Sequence, residues 1–480
     1  MMSLLDDVAY VESLTVLSRF RTDFYACLPA RADALFELTD ALLCTDGPVK
    51  TLVDLSLAPE HRRGHGALYG AVNHGRLDVA RLRRTLTGLP LPRAADGRIV
   101  LACDVSNWLR PDAATSADRL FCHTYGRGKG SAQMIPGWPY SIVAALEPGR
   151  NSWTALLDAV RLRPDDDETA VTAAQLREVV ERLISAGQWN DGDLPVLIVL
   201  DAGYDVTRLA FLLSDLPVEL LGRMRSDRVL YFPPPPQPPG KVGRKPKRGA
   251  EFKFEDNATW PAPARTTTSA TRRYGQAIAT AWDRLHPSLT RRSAWTDYPA
   301  GELPVISGTV IRLRVDHLPG DRDPKPVWLW WSGVDATAAD VDRLWRSFLR
   351  RFDLEHTFRL FKQTLGWTAP KLRSPQAADR WTWLVLTAHT QLRLARPLTE
   401  DLRKPWERPA KSGRLTPARV RRGFRRLHGK TPHPAGAPKP SKAGPGRPTG
   451  SKNRLRAHQQ PVGKQAKTDT QTIGKEKEKA

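Results

Sequence analysis

Residues 195–204, PVLIVLDAGY, place five aliphatic side chains in a row between Pro195 and Gly203, with Asp201 directly after them. A second apolar run, IVLAC at residues 99–103, leads in the same way into Asp104. Continuous apolar runs of this length predict strands buried on both faces, as in a parallel sheet covered by helices. In such α/β folds the functional groups collect at the carboxyl ends of the strands, which is where these two aspartates lie.

A third stretch, WRSFLRRFDLEHTFRLFKQTLGW at residues 345–367, predicts a helix with chemistry on one face. At ~100° per residue, a stripe of roughly 60° contains four of its side chains: Phe348, Arg351, Glu355 and Lys362. An apolar stripe runs beside it, formed by Leu354, Phe358, Phe361 and Leu365. The sequence therefore places a carboxylate between two cations at the border of a buried helix face.

Three carboxylates brought together repel one another unless a cation neutralises them. Oxygen ligands suit Mg²⁺ or Mn²⁺, and two such ions, ~3.5–4 Å apart, assist displacement at phosphorus. We therefore predict phosphodiester chemistry at Asp104, Asp201 and Glu355. The plainer alternative is a surface helix with an Arg351–Glu355 pair and a spare lysine. Other carboxylates compete for the site: Asp112, Asp165 to Asp167, Asp205 and Asp227.

The order of these motifs resembles a known family. Asp104, then Asp-Ala-Gly-Tyr at 201–204, then Phe-x2-Arg-x3-Glu-x6-Lys from Phe348 resembles the signature of bacterial cut-and-paste DDE transposases, in the insertion-sequence-four and related groups. Phe348 stands where these enzymes have tyrosine. The resemblance covers residues 60–430 and includes the basic segment 61–84 and the stretch GRKPKRG at 243–249.

The resemblance implies a ribonuclease-H-like catalytic core in which Asp104, Asp201 and Glu355 are catalytic and hold two Mg²⁺ (or Mn²⁺) ions. Arg351 and Lys362 would grip phosphates, and Phe348 would stack on an unpaired base. Further DNA-binding residues are expected in the basic segments: Arg62, Arg63, Arg244, Lys245, Lys247, Arg248 and Arg447. The implied partners are double-stranded DNA, as terminal inverted repeats and target, and a second copy of the chain in a homodimer on the DNA ends.

Five regions are expected along the chain. Asp201 and Glu355 are 154 residues apart in the sequence, far more than one strand, its loops and a helix need, so a segment is inserted. The expected regions are an N-terminal helical DNA-binding region (1–95), a first part of the core (96–230), an inserted β-rich subdomain with a Pro-rich and basic opening (231–333), the catalytic helix with a C-terminal helical part (334–427), and a disordered basic tail (428–480).

The charge is concentrated near the end of the chain. Residues 401–480 hold 22 Lys/Arg and 5 Asp/Glu, a net +17 of the total +23. Such a balance favours a polyanionic partner. No aromatic residue follows Phe424, which favours disorder, and PGRPTGSKNR at 445–454 resembles an AT-hook for the minor groove. A chain cut after Leu427 is therefore expected to remain folded.

The four cysteines lie far apart, which argues against a zinc ribbon or a disulfide scaffold and fits a reducing cytosol. The start, MMSLLDDVAY, has acids where a secretory signal has basic residues, and no apolar run approaches a membrane span. We expect a soluble protein of the bacterial cytoplasm, associated with the nucleoid. Two other functions stay open: a DNA-binding protein derived from a transposase, without cleavage, and a metal-dependent endonuclease without strand transfer.

Overall fold

The computed structural model describes residues 4–125, 132–149, 151–236, 247–296, 298–299, 301–318, 324–410, 414–439 and 455–464. These residues form a mixed α/β fold with a central mixed sheet and helices on both of its faces. The predicted α/β class is confirmed.

The N-terminal region is helical, as its apolar periodicity predicts. Within the described part of residues 1–95 lie α1 (Leu4–Ala26), α2 (Ala32–Cys44), α3 (Leu52–Ser56), α4 (His65–His74) and α5 (Val79–Thr87). Helix α2 is buried along nearly its whole length. It contacts α4 and two helices from the other end of the chain, α10 (Pro375–Ala395) and α11 (Pro417–His428). The region is therefore packed into the rest of the protein.

The first part of the sheet comes from the segment around the two aspartates. It comprises β1 (Val100–Leu109), β2 (Leu120–Tyr125), β3 (Ala132–Leu146), β4 (Thr154–Arg161), α6 (Glu168–Ser185), β5 (Val196–Leu200), α7 (Val206–Leu212) and β6 (Val218–Met224). Strands β1, β5 and β6 are parallel neighbours, whereas β3 pairs antiparallel with β1 and also with β2 and β4. Strand β2 was not predicted from the sequence.

Six further strands lie in the described residues between Val229 and Trp331, and four of them extend this same sheet. They are β7 (Val229–Tyr231), β8 (Glu251–Lys253), β9 (Arg265–Thr271), β10 (Gly275–Leu285), β11 (Gly308–Val315) and β12 (Val327–Trp331). Strand β12 pairs with β6, and β11, β10 and β9 follow in order, so that the described residues form a ten-stranded sheet; β7 and β8 pair separately. Strands β9 to β12 thus share the central sheet, whereas β7 and β8 form a small sheet of their own.

The stretch 345–367 does not form one helix, contrary to the prediction. Helix α8 (Ala338–Arg350) ends before Arg351 and α9 (Phe352–Gln363) begins after it. At the junction, Arg351 N donates to Phe348 O (3.1 Å) and Leu354 N to Arg351 O (3.0 Å). These bonds span three residues, so the chain tightens for one turn there, while Arg351 keeps helical backbone angles (φ −52°, ψ −31°). Two more helices follow, α10 (Pro375–Ala395) and α11 (Pro417–His428).

Strand β5 shows why the sheet is buried on both faces. Leu197 and Val199 belong to the core that includes α9 and α10, whereas Ile198 and Leu200 belong to the core beneath α6 and α7. Alternate residues of a strand point to opposite faces, so an unbroken aliphatic run is what a doubly covered strand requires. No helix in the described part of the chain has the length and apolar character needed to cross a membrane.

The predicted disorder from residue 428 onward is wrong for two segments. In residues 428–439, Pro432 O accepts a hydrogen bond from Arg21 Nε (3.1 Å), and Gly436 O accepts one from Arg63 Nη2 (2.9 Å). In residues 455–464, Gly463 N donates to Arg119 O (2.9 Å). The AT-hook-like stretch lies outside the described residues.

Truncation after Leu427 should therefore destabilise the protein, contrary to the expectation from the sequence. Buried Asp40 would lose its hydrogen bond with His428 (3.0 Å), and Arg62 and Arg63 would lose carbonyl acceptors. Each buried polar group left unsatisfied costs about 1–3 kcal/mol. Thermal unfolding should show a lower Tm for this truncation than for one after Lys464, which keeps the contacts; equal Tm values would contradict the structural role.

His389 should make the protein acid-sensitive. It is fully buried on α10 beside Trp153 and Phe361, and neither ring nitrogen has a hydrogen-bond partner among the described residues. Burial, aided by Arg393, lowers its pKa from 6.5 to about 3. Because the unfolded histidine binds a proton first, its contribution is present above pH 6.5 and is lost as the pH falls towards 3, by about 1.4 kcal/mol per unit.

The measurement is the free energy of unfolding in urea between pH 7 and pH 5 for the wild type and His389→Leu. The leucine variant keeps a similar volume but cannot take up a proton, so its stability should depend less on pH. Parallel curves for the two proteins would show that His389 is already paired or hydrated in the folded state.

Candidate active site

The pairing of β1 with β5 brings the two aspartates side by side. Ala102 lies opposite Val199 in this parallel pair, and two residues further along the same register Asp104 faces Asp201. Neighbouring strands are ~4.8 Å apart and paired residues point to the same face. Asp104 is still within β1, whereas Asp201 follows the last residue of β5. The shared register therefore places both carboxylates on one face of the sheet.

Helix α9 adds the third carboxylate. It packs across β1, β3 and β4, with Glu355 in its first turn. Arg351, at the junction before it, is only 3% exposed. Its Nη1 lies 2.8 Å from Asp104 Oδ2, and its Nη2 lies 3.2 Å from Asp201 Oδ2 and 3.1 Å from Glu355 Oε1. One buried guanidinium thus joins three carboxylates that are far apart in the sequence.

This cluster is still short of positive charge. Three carboxylates surround one arginine, and burial raises the pKa of Asp104 to about 6; Arg351 opposes this shift, while Asp201 and Glu355 add to it. Arg223 on β6 is a further cation near the site, with Nη1 3.8 Å from Asp201 Oδ1 and a half-exposed side chain. The site favours additional cations.

The donor set fits a divalent metal ion. All three side chains offer carboxylate oxygens, the ligands that Mg²⁺ and Mn²⁺ prefer, and Asp201 Oδ1 is buried without a hydrogen-bond partner among the described residues. Arg351 contacts the same carboxylates that metal ions would use. An ion bound by these carboxylates would therefore compete with Arg351 for their oxygens.

Another cluster in the described residues has ligand atoms closer together, within 4.8 Å: Asp40, His428 and His433. Here Arg21 already occupies both oxygens of Asp40, at 2.7 Å and 3.0 Å. Adding a divalent ion would leave this buried site with excess positive charge. We interpret the cluster as a contact that holds residues 428–436 on α2, because Asp40 is already paired with Arg21 and His428 without a metal ion.

Two aromatic rings lie beside Arg351 and differ in exposure. Phe348 is 3% exposed and lies in the core, with the Arg351 guanidinium 5.8 Å from its ring centroid, so it is too buried to stack on a base as the motif predicts. Phe352 is 45% exposed, and the Arg351 guanidinium lies 5.2 Å from its ring centroid. Of the two rings, Phe352 is therefore the one that solvent reaches.

Lys362 lies near Asp104, as its place in the motif predicts. Its ammonium group is 5.8 Å from the ring centroid of Trp367. Although the residue is exposed, the protein around the ammonium group lowers the pKa of Lys362, while Cys122 and Asp104 raise it. The side chain therefore has both the charge and the access that contact with a phosphate requires.

The other predicted DNA-binding residues are not gathered at this site. Arg62 and Arg63 bind Glu37 within the N-terminal region, and their role in DNA contact stays a prediction. Lys247 pairs with Glu302 (3.1 Å), and Arg248 donates to Ser288 Oγ (2.6 Å) and lies over the Tyr231 ring. Three residues lie outside the described ones: Arg244, Lys245 and Arg447.

The competing carboxylates have local partners. Asp167 and Asp205 accept hydrogen bonds from the backbone at the starts of α6 and α7. Asp112 pairs with Lys371 (3.0 Å), and Asp227 pairs with Arg225. Within the described residues, none of these four carboxylates contacts Arg351. The carboxylate partners of Arg351 are the three predicted ones.

Comparison with known proteins gives one family. A family model described as "DDE superfamily endonuclease" matches residues 23–288, more than half of the 480 residues. The match includes Asp104 and Asp201 and ends before Glu355. A search of curated proteins found no match.

Alanine substitution of Phe348 and of Phe352 should reduce stability by different amounts, because only Phe348 is buried in the core. Phe348→Ala removes a buried ring and should cost about 3–5 kcal/mol of stability. Phe352→Ala should change the free energy of unfolding much less, because nearly half of that ring is in solvent. Urea unfolding of both variants tests this; similar losses would mean that Phe352 is packed in the native state.

Proposed function

The chain belongs to the DDE superfamily of endonucleases, and on this premise we propose that it is a DNA transposase of the insertion-sequence-four and related groups. Its reaction would be metal-dependent cleavage at transposon ends, followed by strand transfer into target DNA. The observation that carries this proposal is the convergence of Asp104, Asp201 and Glu355 on the guanidinium of Arg351. A surface helix with one ion pair would not gather aspartates from two strands.

The order of the strands supports a ribonuclease-H-like core. From the edge inward the sheet runs β4, β3, β1, β5, β6, with β3 antiparallel to its neighbours and α9 lying across one face. We propose that residues 96–230 and 334–427 form this core, that residues 231–333 are inserted into it, and that residues 1–95 form a helical region beside it. The extension of the sheet by β12 supports an insertion that is continuous with the core.

In the proposed active site, Asp104, Asp201 and Glu355 hold two Mg²⁺ (or Mn²⁺) ions. Bound ions of this kind polarise the phosphodiester and neutralise charge that develops on its oxygens. The free oxygen of Asp201 and the raised pKa of Asp104 support a site that gains from such cations. The three carboxylates come from different elements, so the packing of α9 on the sheet fixes their separation.

We propose that three side chains around the carboxylates contact DNA: Arg351, Lys362 and Phe352. Arg351, once released from part of its carboxylate contacts, can present its planar fork to a phosphate beside the scissile bond. Lys362 can neutralise a neighbouring phosphate as a point charge. Phe352 replaces Phe348 as the ring that stacks on an unpaired base.

The proposed partners follow from the reaction. Cleavage and joining need the terminal inverted repeats and a target duplex, and the net charge of +23 suits such a polyanion. We propose that two copies assemble on the paired DNA ends, so that each end is cleaved by one active site. The proposed location is the bacterial cytoplasm, at the nucleoid.

Removal of any one carboxylate should abolish cleavage. Asp104→Asn, Asp201→Asn and Glu355→Gln should each reduce Mg²⁺-dependent nicking of a duplex carrying the element's end by at least about 10³-fold, the scale of losing a key electrostatic group. Asp227→Asn, which removes an exposed carboxylate paired with Arg225, should cleave normally. The measurement is single-turnover cleavage, with DNA binding in EDTA as a check on folding.

The outcomes separate the possible functions. Normal cleavage by Glu355→Gln would refute the assignment of the third carboxylate. A wild type that binds ends but never cleaves would support a DNA-binding protein derived from a transposase. Cleavage without joining to a target plasmid would indicate an endonuclease alone.

A further inference from the structure

A cleft of about 630 Å³ lies away from the carboxylate cluster, between three parts of the chain. One wall is residues 75–79, the connection between α4 and α5. The second is the end of β4 with Tyr140 of β3 beneath it, and the third is the first two turns of α10. N-terminal helices, sheet and C-terminal helix meet here, so the cleft exists only in the folded protein.

Five arginines and two aspartates line this cleft. Three of the arginines are fixed by internal acceptors: Arg83 by Asp158 (2.8 Å), Arg161 by Asp379 (2.9 Å) and Arg380 by Val72 O (2.8 Å). The side chains of Arg76 and Arg163 are exposed and have no partner among the described residues. These two guanidinium groups, on opposite walls, are the part of the cleft that is open to a ligand.

The two aspartates do not neutralise these free arginines. Asp78 accepts a hydrogen bond from Arg81 N (2.9 Å) at the start of α5. Asp379 accepts one from Tyr140 Oη (2.8 Å) in addition to its contact with Arg161. Both carboxylates already have partners within the walls and pair with neither Arg76 nor Arg163, so the cleft keeps a net positive charge.

The backbone that carries the free arginines is held in place. Arg76 N donates to Ala30 O (3.2 Å), and Arg163 N donates to Asp166 Oδ2 (2.7 Å). The positions from which the two side chains extend are therefore preorganised, which lowers the cost of ordering them on a ligand. A ligand with two anionic groups would gain from both arginines at once.

The strand registers place the cleft on the same face of the sheet as the carboxylate cluster. Asp104 pairs with Ile142, which pairs with Ala159 in the cleft; the next row contains Tyr140 and Arg161. Paired residues share a face, and two strand spacings amount to ~10 Å. The paired residues between the two sites are buried in the core that α9 and α10 cover. A duplex cut at Asp104, which carries one negative charge per ~1.7 Å of its axis, would therefore reach the cleft over the outside of these helices.

We propose that this cleft, named here the arginine cleft (Arg76, Arg83, Arg161, Arg163 and Arg380), binds the phosphate backbone of duplex DNA flanking the cleavage site. Arg76 and Arg163 make the phosphate contacts, and Arg380, held by backbone carbonyls, adds fixed positive charge beside them. Arg83 and Arg161 are neutralised by Asp158 and Asp379 and hold the walls. The inference rests on the proposed function, because the partner is the DNA that the carboxylate cluster cleaves. The cleft positions the duplex and does not contact the reacting phosphate.

The test is binding of a 30-base-pair duplex in EDTA across a salt series, for the wild type, Arg76→Gln, Arg163→Gln and the double variant. Each lost phosphate contact should lower the slope of log K against log salt by about 0.9, so the double variant should lose about 1.8. Arg272→Gln is the matched control: it removes the same charge from an exposed turn between β9 and β10, where Arg272 has no partner among the described residues.

An unchanged slope in the double variant would overturn the proposal, and so would an equal loss in Arg272→Gln, which would show an effect of net charge alone. Inorganic phosphate is the competing ligand. If it raises the Tm of the wild type but not of the double variant, while DNA binding is the same for both, the cleft serves a small anion and the proposal fails. Because binding is measured without metal, the result is independent of whether the carboxylates cleave.

Discussion

The contact of one buried guanidinium with three carboxylates is the constraint around which this structure is arranged. Arg351 can reach Asp104, Asp201 and Glu355 together only if β1 and β5 are parallel neighbours and α9 packs across β1. Buried charges are tolerated when they are paired, and three acids with one base are incompletely paired. This imbalance would destabilise an ordinary core, and it leaves the cluster short of positive charge.

Arg351, whose charge is shared by the three carboxylates, lies at the break between α8 and α9. In a continuous helix, Arg351 and Glu355 would stand on a stripe at the edge of the buried face. In the structure, Arg351 at the junction of α8 and α9 is buried together with Phe348, whereas Phe352 is exposed. An arginine with five donors can satisfy several carboxylates from one position, which a lysine could not do in the same planar geometry.

The arginine side chains of this basic sequence fall into two groups, those with partners in the protein and those that face solvent. Many arginines are held by partners within the protein: Arg21 binds Asp40, Arg62 and Arg63 bind Glu37, and Arg421 donates to the carbonyls of Leu42 and Gly47. These contacts join the two ends of the chain. Others, such as Arg76 and Arg163, face solvent in the arginine cleft. Net charge alone does not distinguish the two groups, because burial and partners are set by the fold.

The sequence by itself determined the α/β class, the two buried strands, the helical character of the N-terminal region and the three carboxylates as candidates. These depend on local patterns: aliphatic runs, helical periodicity and acids directly after a strand. Their order along the chain also gave the resemblance to transposases, and the family match agrees at the level of the DDE superfamily.

Only the tertiary structure decided the partners of each side chain. The burial of Phe348, the use of Arg62 and Arg63 inside the protein, the contacts of residues 428–439 and the continuation of the sheet through β12 all join segments distant in sequence. A periodic pattern records which side of its own element a residue occupies. It does not record which other element covers that side, and that covering decides whether a charge meets solvent, a carboxylate or a carbonyl.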